Sequence, residues 1–135
     1  MSKQFKWPVR VYYEDTDAGG IVYHARYLYF LERARTEWLR EVGFNQSELK
    51  QQNLIFVVRD MQIKWQKPAT LDELLTVTTE VKQIKKASMI MAQTITCGDV
   101  KKASAEVTVA CINSVTQKPM AMPDTILNVI ANDDE

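Results

Sequence analysis

Chemistry-bearing side chains crowd into one stretch of the chain, Tyr13-Glu14-Asp15-Thr16-Asp17-Ala18-Gly19-Gly20-Ile21-Val22-Tyr23-His24. It holds three carboxylates, two adjacent glycines and the only histidine within twelve residues. A carboxylate in such a place can act as a nucleophile or as a general base for water. Glycines allow backbone to approach a ligand closely and to adopt positive φ. A helix starting just beyond would add unpaired N–H donors and a partial positive charge, suited to a carbonyl under attack. The plainer alternative stays open from these residues alone, because acidic residues ahead of a helix also cap it or solvate a turn. A calcium loop fits poorly, since the regular ligand spacing that ends in a distal Glu is missing.

The elements around this stretch must position it. Residues 5–13 read as a first strand, with Pro8 assigning it to a sheet edge or a strand start. After the acidic loop, Tyr27, Phe30, Leu31, Ala34, Trp38 and Val42 recur at helical spacing, with Leu28 and Leu39 widening the apolar stripe and Gly43 at the C-cap. Such a helix is roughly 20 Å or more long and needs a broad apolar partner. A short polar helix is expected over 47–52, and strands over 54–66, 74–84, 88–97 and 101–113. Met89, Met91, Gln93, Ile95 and Cys97 alternate onto one face, as do Ala103, Ala105, Val107, Val109 and Cys111. Cys97-Gly98-Asp99-Val100 marks a hairpin, and a final helix over 125–130 would follow Asp124 as N-cap. Short connections favour antiparallel pairing. The expected architecture is therefore α+β, a curved antiparallel sheet wrapped around one long helix. Trp38, Met89 and Met91 read as core packing.

Composition narrows the classes of function. The 135 residues suit one domain spanning 1–135. Lys+Arg and Asp+Glu are both 17, so the basic excess that phosphate binding demands is absent and nucleic acid is not an expected partner. Residues 1–10 lack the apolar core of a secretory signal, and no apolar run approaches a membrane span; a cytoplasmic location is expected. Cys97 and Cys111 read as reduced, buried thiols. One histidine and two separated cysteines give no metal-ligand spacing, so neither metal nor cofactor is expected.

The run from Asp15 to His24, followed by Tyr27 and the helical Glu32-Arg33-Ala34-Arg35, resembles the 4-hydroxybenzoyl-CoA thioesterase family. Within it, the chain is similar to the acyl-CoA thioesterases encoded beside the bacterial Tol–Pal envelope system. The likeness extends from Trp7-Pro8-Val9-Arg10 to Lys118-Pro119. It implies the hotdog fold, hydrolysis of acyl-CoA to free acid and coenzyme A within lipid metabolism, and a homodimer or homotetramer, in keeping with a sheet edge that a lone protomer leaves unpaired. By the same resemblance Asp17 is the catalytic carboxylate, and the carbonyl-polarising amide falls at His24, whose imidazole also touches the thioester or orders water. Tyr13, counted with the substrate-binding residues, and Asp15 orient the loop. Lys85 and Lys86, which with Lys82 form a basic cluster at a strand–strand turn, would meet the coenzyme A phosphates. Arg59 would serve the dimer seam or the pantetheine tunnel. A non-catalytic acyl carrier or acyl-lipid binding partner is the competing reading, with acyl carrier protein as a possible donor or partner. A hydratase is disfavoured, because such sites place His and an acidic residue on opposing elements.

Overall fold

A computed structural model of the protein describes residues 3–133. In chain order the elements are β1 (Phe5–Arg10), a single 3₁₀ turn (Tyr13–Asp15), α1 (Arg26–Glu41), α2 (Gln46–Gln51), β2 (Leu54–Trp65), β3 (Leu74–Ile84), β4 (Ser88–Cys97), β5 (Val100–Asn113) and α3 (Asp124–Asp133). The strands form one antiparallel sheet in the order β1-β3-β4-β5-β2. With its single long helix this is the α+β hotdog arrangement. Pro8 lies on an edge strand, opposite Thr76, where its missing N–H costs no central ladder bond. Register shifts at 58/60 in the edge strand β2, and at 81/83 and 95/96 among the inner strands, bend the sheet.

The buried side of α1 is Tyr27, Phe30, Leu31, Ala34, Trp38 and Leu39, and each large side chain there stabilises the fold by about 2 kcal/mol. The first half of the helix packs with Val11, Val22, Leu75, Val77, Ile95 and Ala103. Its second half shares a core with Met89, Met91, Val107, Val109 and Cys111, closed by Ile126 and Ile130 of α3. The helix terminates as its spacing implies, with Gly43 at φ +102 directly after the Val42 cap. Gly98, at φ +58, opens the two-residue loop that joins Cys97 to Val100.

Three expectations need correction. β1 stops at Arg10 rather than reaching residue 13, because the Tyr12 amide turns to donate to Asp15 Oδ2 at 2.8 Å. Leu28 is 40% exposed and does not widen the buried stripe. α3 begins at Asp124 and runs to Asp133, since the Pro123 carbonyl takes the first amides, those of Ile126 and Leu127, at 3.0 Å each. In addition, β2 and β3 are consecutive in sequence but three places apart in the sheet. Residues 66–73 cross the end of the sheet as a strap between them, and this strap carries the site.

Candidate active site

The acidic loop is a small closed unit made of backbone. Thr16 pairs with Val22 and Ile21 with Thr70 of the strap. Within the loop the Asp17 amide donates to Ile21 O at 2.8 Å, and the Gly20 amide to Asp17 O at 3.0 Å. Gly20 sits at φ +82, a conformation other L residues adopt with strain. Asp17 Oδ1 accepts from the Gly19 amide at 2.8 Å, and the residue is exposed. The carboxylate is thereby aimed while one oxygen stays available. It borders a hollow of about 450 Å³ together with Tyr13, Thr16, Ala18, Gly20 and Leu71. Tyr13, at 83% exposure, is thus brought to Asp17.

Asp15 points the other way, inward. It is 4% exposed, and its Oδ1 accepts from Arg26 Nε at 2.6 Å while Oδ2 holds the Tyr12 amide. Arg26 is the first residue of α1 and also lies 4.9 Å over the Tyr29 ring. The hydrogen bond to Asp15 raises the Arg26 pKa above its ordinary value despite the opposing effect of burial. One charge-assisted contact therefore locks the acidic loop to the helix start, and the Tyr23 amide, donating to Asp15 O at 2.9 Å, repeats the tie in backbone.

The helix start carries free donors. Ala25 precedes α1 in right-handed conformation with no side-chain cap. Among the described residues, the amides of His24 and Ala25 have no hydrogen-bond partner. The exposed His24 ring stands against Tyr23 at 4.6 Å and edge-on to Trp65 at 6.1 Å, and Trp65 Nε1 donates to His24 O at 3.3 Å. A second hollow, about 240 Å³, is lined by Ile21, Val22, His24, Tyr27, Trp65 and the strap residues 66–68. Asp17 and His24 therefore border different hollows on either side of Gly20–Ile21. A Cβ at Gly20 would meet no atom within 4 Å, so the space over that residue is open.

The strap is pinned beneath both. The Val22 amide donates to Ala69 O at 2.9 Å, the Ala69 amide to the Tyr27 hydroxyl at 3.1 Å, and Lys102 Nζ to Pro68 O at 3.1 Å. Burial raises the Tyr27 pKa, against the pull of the Ala69 amide. Lys102 also reaches Glu73 Oε1 at 3.4 Å. At Glu73 the raising effect of burial is outweighed by bonds to the Thr70 amide, Cys97 and Lys102, and its pKa falls. Trp65, Arg26 and Lys102 are the positioning residues that sequence reasoning missed. Only the place of Trp65 at the end of a strand and of Arg26 at a helix start hinted at them.

The basic residues expected to meet the substrate, Arg59, Lys85 and Lys86, do not join this site within one chain. Arg59 is exposed at the β2 bulge and borders none of the hollows described. Lys85 and Lys86 lie beyond the far end of β3, roughly 30 Å from the Asp17 loop at the usual strand rise. Lys82 is engaged with Glu106 at 2.7 Å. Cys97 and Cys111 are free thiols, the latter buried and pushed up to about 11 by desolvation. Trp38, Met89 and Met91 belong to the core but also border a third hollow near β2.

Comparison with known proteins gives a consistent picture. The profile of the thioesterase-like superfamily matches residues 11–130. The acyl-CoA thioesterase YbgC of Haemophilus influenzae is 49% identical, over 90% of this chain and 90% of its own. The acyl-CoA thioester hydrolase YbgC of Escherichia coli is 46% identical, over 91% and 92% respectively. A crystal structure of a probable thioesterase from Bartonella henselae superposes with a TM-score of 0.86 at 42% identity, covering 90% of this chain and all of that one, 100%.

Proposed function

The chain belongs to the thioesterase-like superfamily, and we propose that it hydrolyses acyl-coenzyme A, with Asp17 as the attacking or water-activating carboxylate. The observation that carries this reading is the pairing, within the nine residues from Asp17 to Ala25, of an exposed carboxylate with two unpartnered amides at a helix start. A thioester laid across Gly20 would present its carbonyl carbon to Asp17 on one side and its oxygen to the His24 and Ala25 amides on the other. Those donors stabilise the oxyanion as it forms. Attack by Asp17, or by water giving up its proton to Asp17, makes a tetrahedral centre, whose collapse breaks the carbon–sulfur bond; where Asp17 itself attacks, the mixed anhydride left on it is then hydrolysed by water to the free acid. The leaving thiol has a reference pKa of about 8.5, so it departs as thiolate with little help from an acid. The His24 imidazole, held by Tyr23 and Trp65, would line the thioester's sulfur side.

The same reading has the chain acting in the cytoplasm as a homodimer or homotetramer. β2 is a sheet edge whose inward-facing Val58 and Trp65 are each 47% exposed, a surface that a second copy would cover. Pairing of copies is also the route by which Arg59, Lys85 and Lys86 would come to a neighbour's substrate. Acyl carrier protein is the alternative thioester donor.

The test is release of free thiol from a panel of acyl-CoAs. Asp17→Asn keeps the oxygen that accepts from Gly19 but loses the charge, and turnover should fall by about a thousandfold or more with the melting temperature unchanged. Turnover within tenfold of the unsubstituted protein would remove Asp17 from the chemistry.

A further inference from the structure

Helical spacing puts Tyr27 in the buried stripe of α1, but a phenylalanine would pack there equally, so packing does not explain the hydroxyl. The side chain is 2% exposed and shares an apolar core with Val11, Val22, Phe30 and Ala69. A hydroxyl in such surroundings is costly without a partner. Among the described residues its partner is the Ala69 amide, which donates to Tyr27 Oη at 3.1 Å. Ala69 is 0% exposed, and its amide has no other acceptor among the described residues. The phenol oxygen therefore satisfies a strap amide that water does not reach.

Ala69 is the middle of a hydrogen-bonded path from the helix to the loop. Its carbonyl accepts from the Val22 amide at 2.9 Å, the adjoining Ile21 pairs with Thr70, and Ile21 O accepts from the Asp17 amide at 2.8 Å. At the other end, Tyr27 is the second residue of α1, just past the free amides of His24 and Ala25. Its ring is held edge-on to Phe30, with centroids 6.1 Å apart. Arg26 grips the loop ahead of Asp17, through Asp15, and Tyr27 grips it behind, through the strap. The carboxylate is spanned from both sides.

We infer that Tyr27 is a positioning residue for hydrolysis, its hydroxyl setting, through Ala69 and residues 21–22, how far Asp17 stands from the His24 and Ala25 amides. The inference rests on the reading of Asp17 as the reacting carboxylate. A thioester carbon must meet that carboxylate while its oxygen meets both amides, so the separation counts in the transition state and little in substrate binding. Without the hydroxyl the Ala69 amide is buried and unbonded. The strap then shifts to find an acceptor and carries residues 21 and 22 with it.

Tyr27→Phe keeps the ring and removes only the oxygen. With acyl-CoA, kcat should fall about ten- to a hundredfold while KM stays within about threefold, the split expected when transition-state contacts alone are lost. Gln93→Leu is the control for general loosening of the core, and its turnover should stay within about threefold. Hydrogen exchange should speed up at the Ala69 and Val22 amides of Tyr27→Phe and not in the second half of α1. A kcat within about threefold of the unsubstituted protein, or unchanged exchange at Ala69, would overturn the inference. So would a further loss of about tenfold when Tyr27→Phe is added to Asp17→Asn, because a residue acting through Asp17 then has nothing left to position. The two failures are distinct: turnover that survives Asp17→Asn removes the role of the carboxylate, whereas turnover that survives only Tyr27→Phe removes the positioning role.

Discussion

Two polar centres lie along the same helix and are built on opposite principles. At the start of α1, the Asp17 loop is held by backbone hydrogen bonds and one short ion pair, and its reactive carboxylate stays in water. Beneath the middle of α1, Arg35, Gln93 and Thr79 are joined side chain to side chain, with Gln93 at 1% and Thr79 at 0% exposure. The first arrangement risks little folding energy, because removing an exposed side chain leaves nothing buried and unsatisfied. The second must be complete to be tolerated, since a lone polar group in low dielectric costs more than its bond returns. Changes at the loop should therefore be felt in turnover before stability, and changes under the helix in stability before turnover.

The sharpest division is the loss of turnover in Asp17→Asn at constant melting temperature. Asp15→Ala is next, and it tests where the boundary between the two regimes runs. It removes the buried partner of Arg26 and of the Tyr12 amide, so urea denaturation should show a loss of about 2 kcal/mol. Turnover should drop too, because the loop is released from the helix start. A change below about 0.5 kcal/mol would mean that backbone ties alone hold the loop. Gln93→Leu conserves volume but strands the Thr79 hydroxyl and the Arg35 contact. We expect about 1–2 kcal/mol lost and turnover within about threefold; a larger catalytic than thermodynamic effect would erase the contrast. The smallest effect is at Gly19, where an added Cβ would stand 3.2 Å from Asp17 Oδ1. Gly19→Ala should push the carboxylate by a few tenths of an ångström and slow turnover by about three- to tenfold, with stability within about 0.5 kcal/mol. An unchanged rate would show that the position of Asp17 is not tightly demanded.

Much of this was legible in the chain because period reports burial. Alternation placed β4 at 88–97, and the strand expected over 74–84 is β3, both with the limits the structure has. Helical spacing marked Tyr27, Phe30, Leu31, Ala34 and Trp38 as buried. Leu28 misled because apolarity implies a buried face only where a neighbour exists to cover it. The end of β1 misled because a side chain, Asp15, took the Tyr12 amide that the ladder would have used. The concentration of carboxylates, glycines and histidine marked the loop, since the motif is local in sequence. Gln93 read as one more member of an alternating face, and nothing in its position announced that it anchors Arg35, 58 residues away.

Local order thus decided the elements, their faces and the place of the acidic loop ahead of a helix, because propensity, period and turn chemistry act over a few residues. Tertiary structure alone decided that β2 lies at the far edge from β1, that the 66–73 strap crosses under the loop, that Lys85 and Lys86 stand a strand length from Asp17, and that Arg35 meets Gln93 beneath the helix. Those facts depend on which distant surfaces meet, and contact between distant segments is set by the packing of the whole core rather than by any run of neighbours.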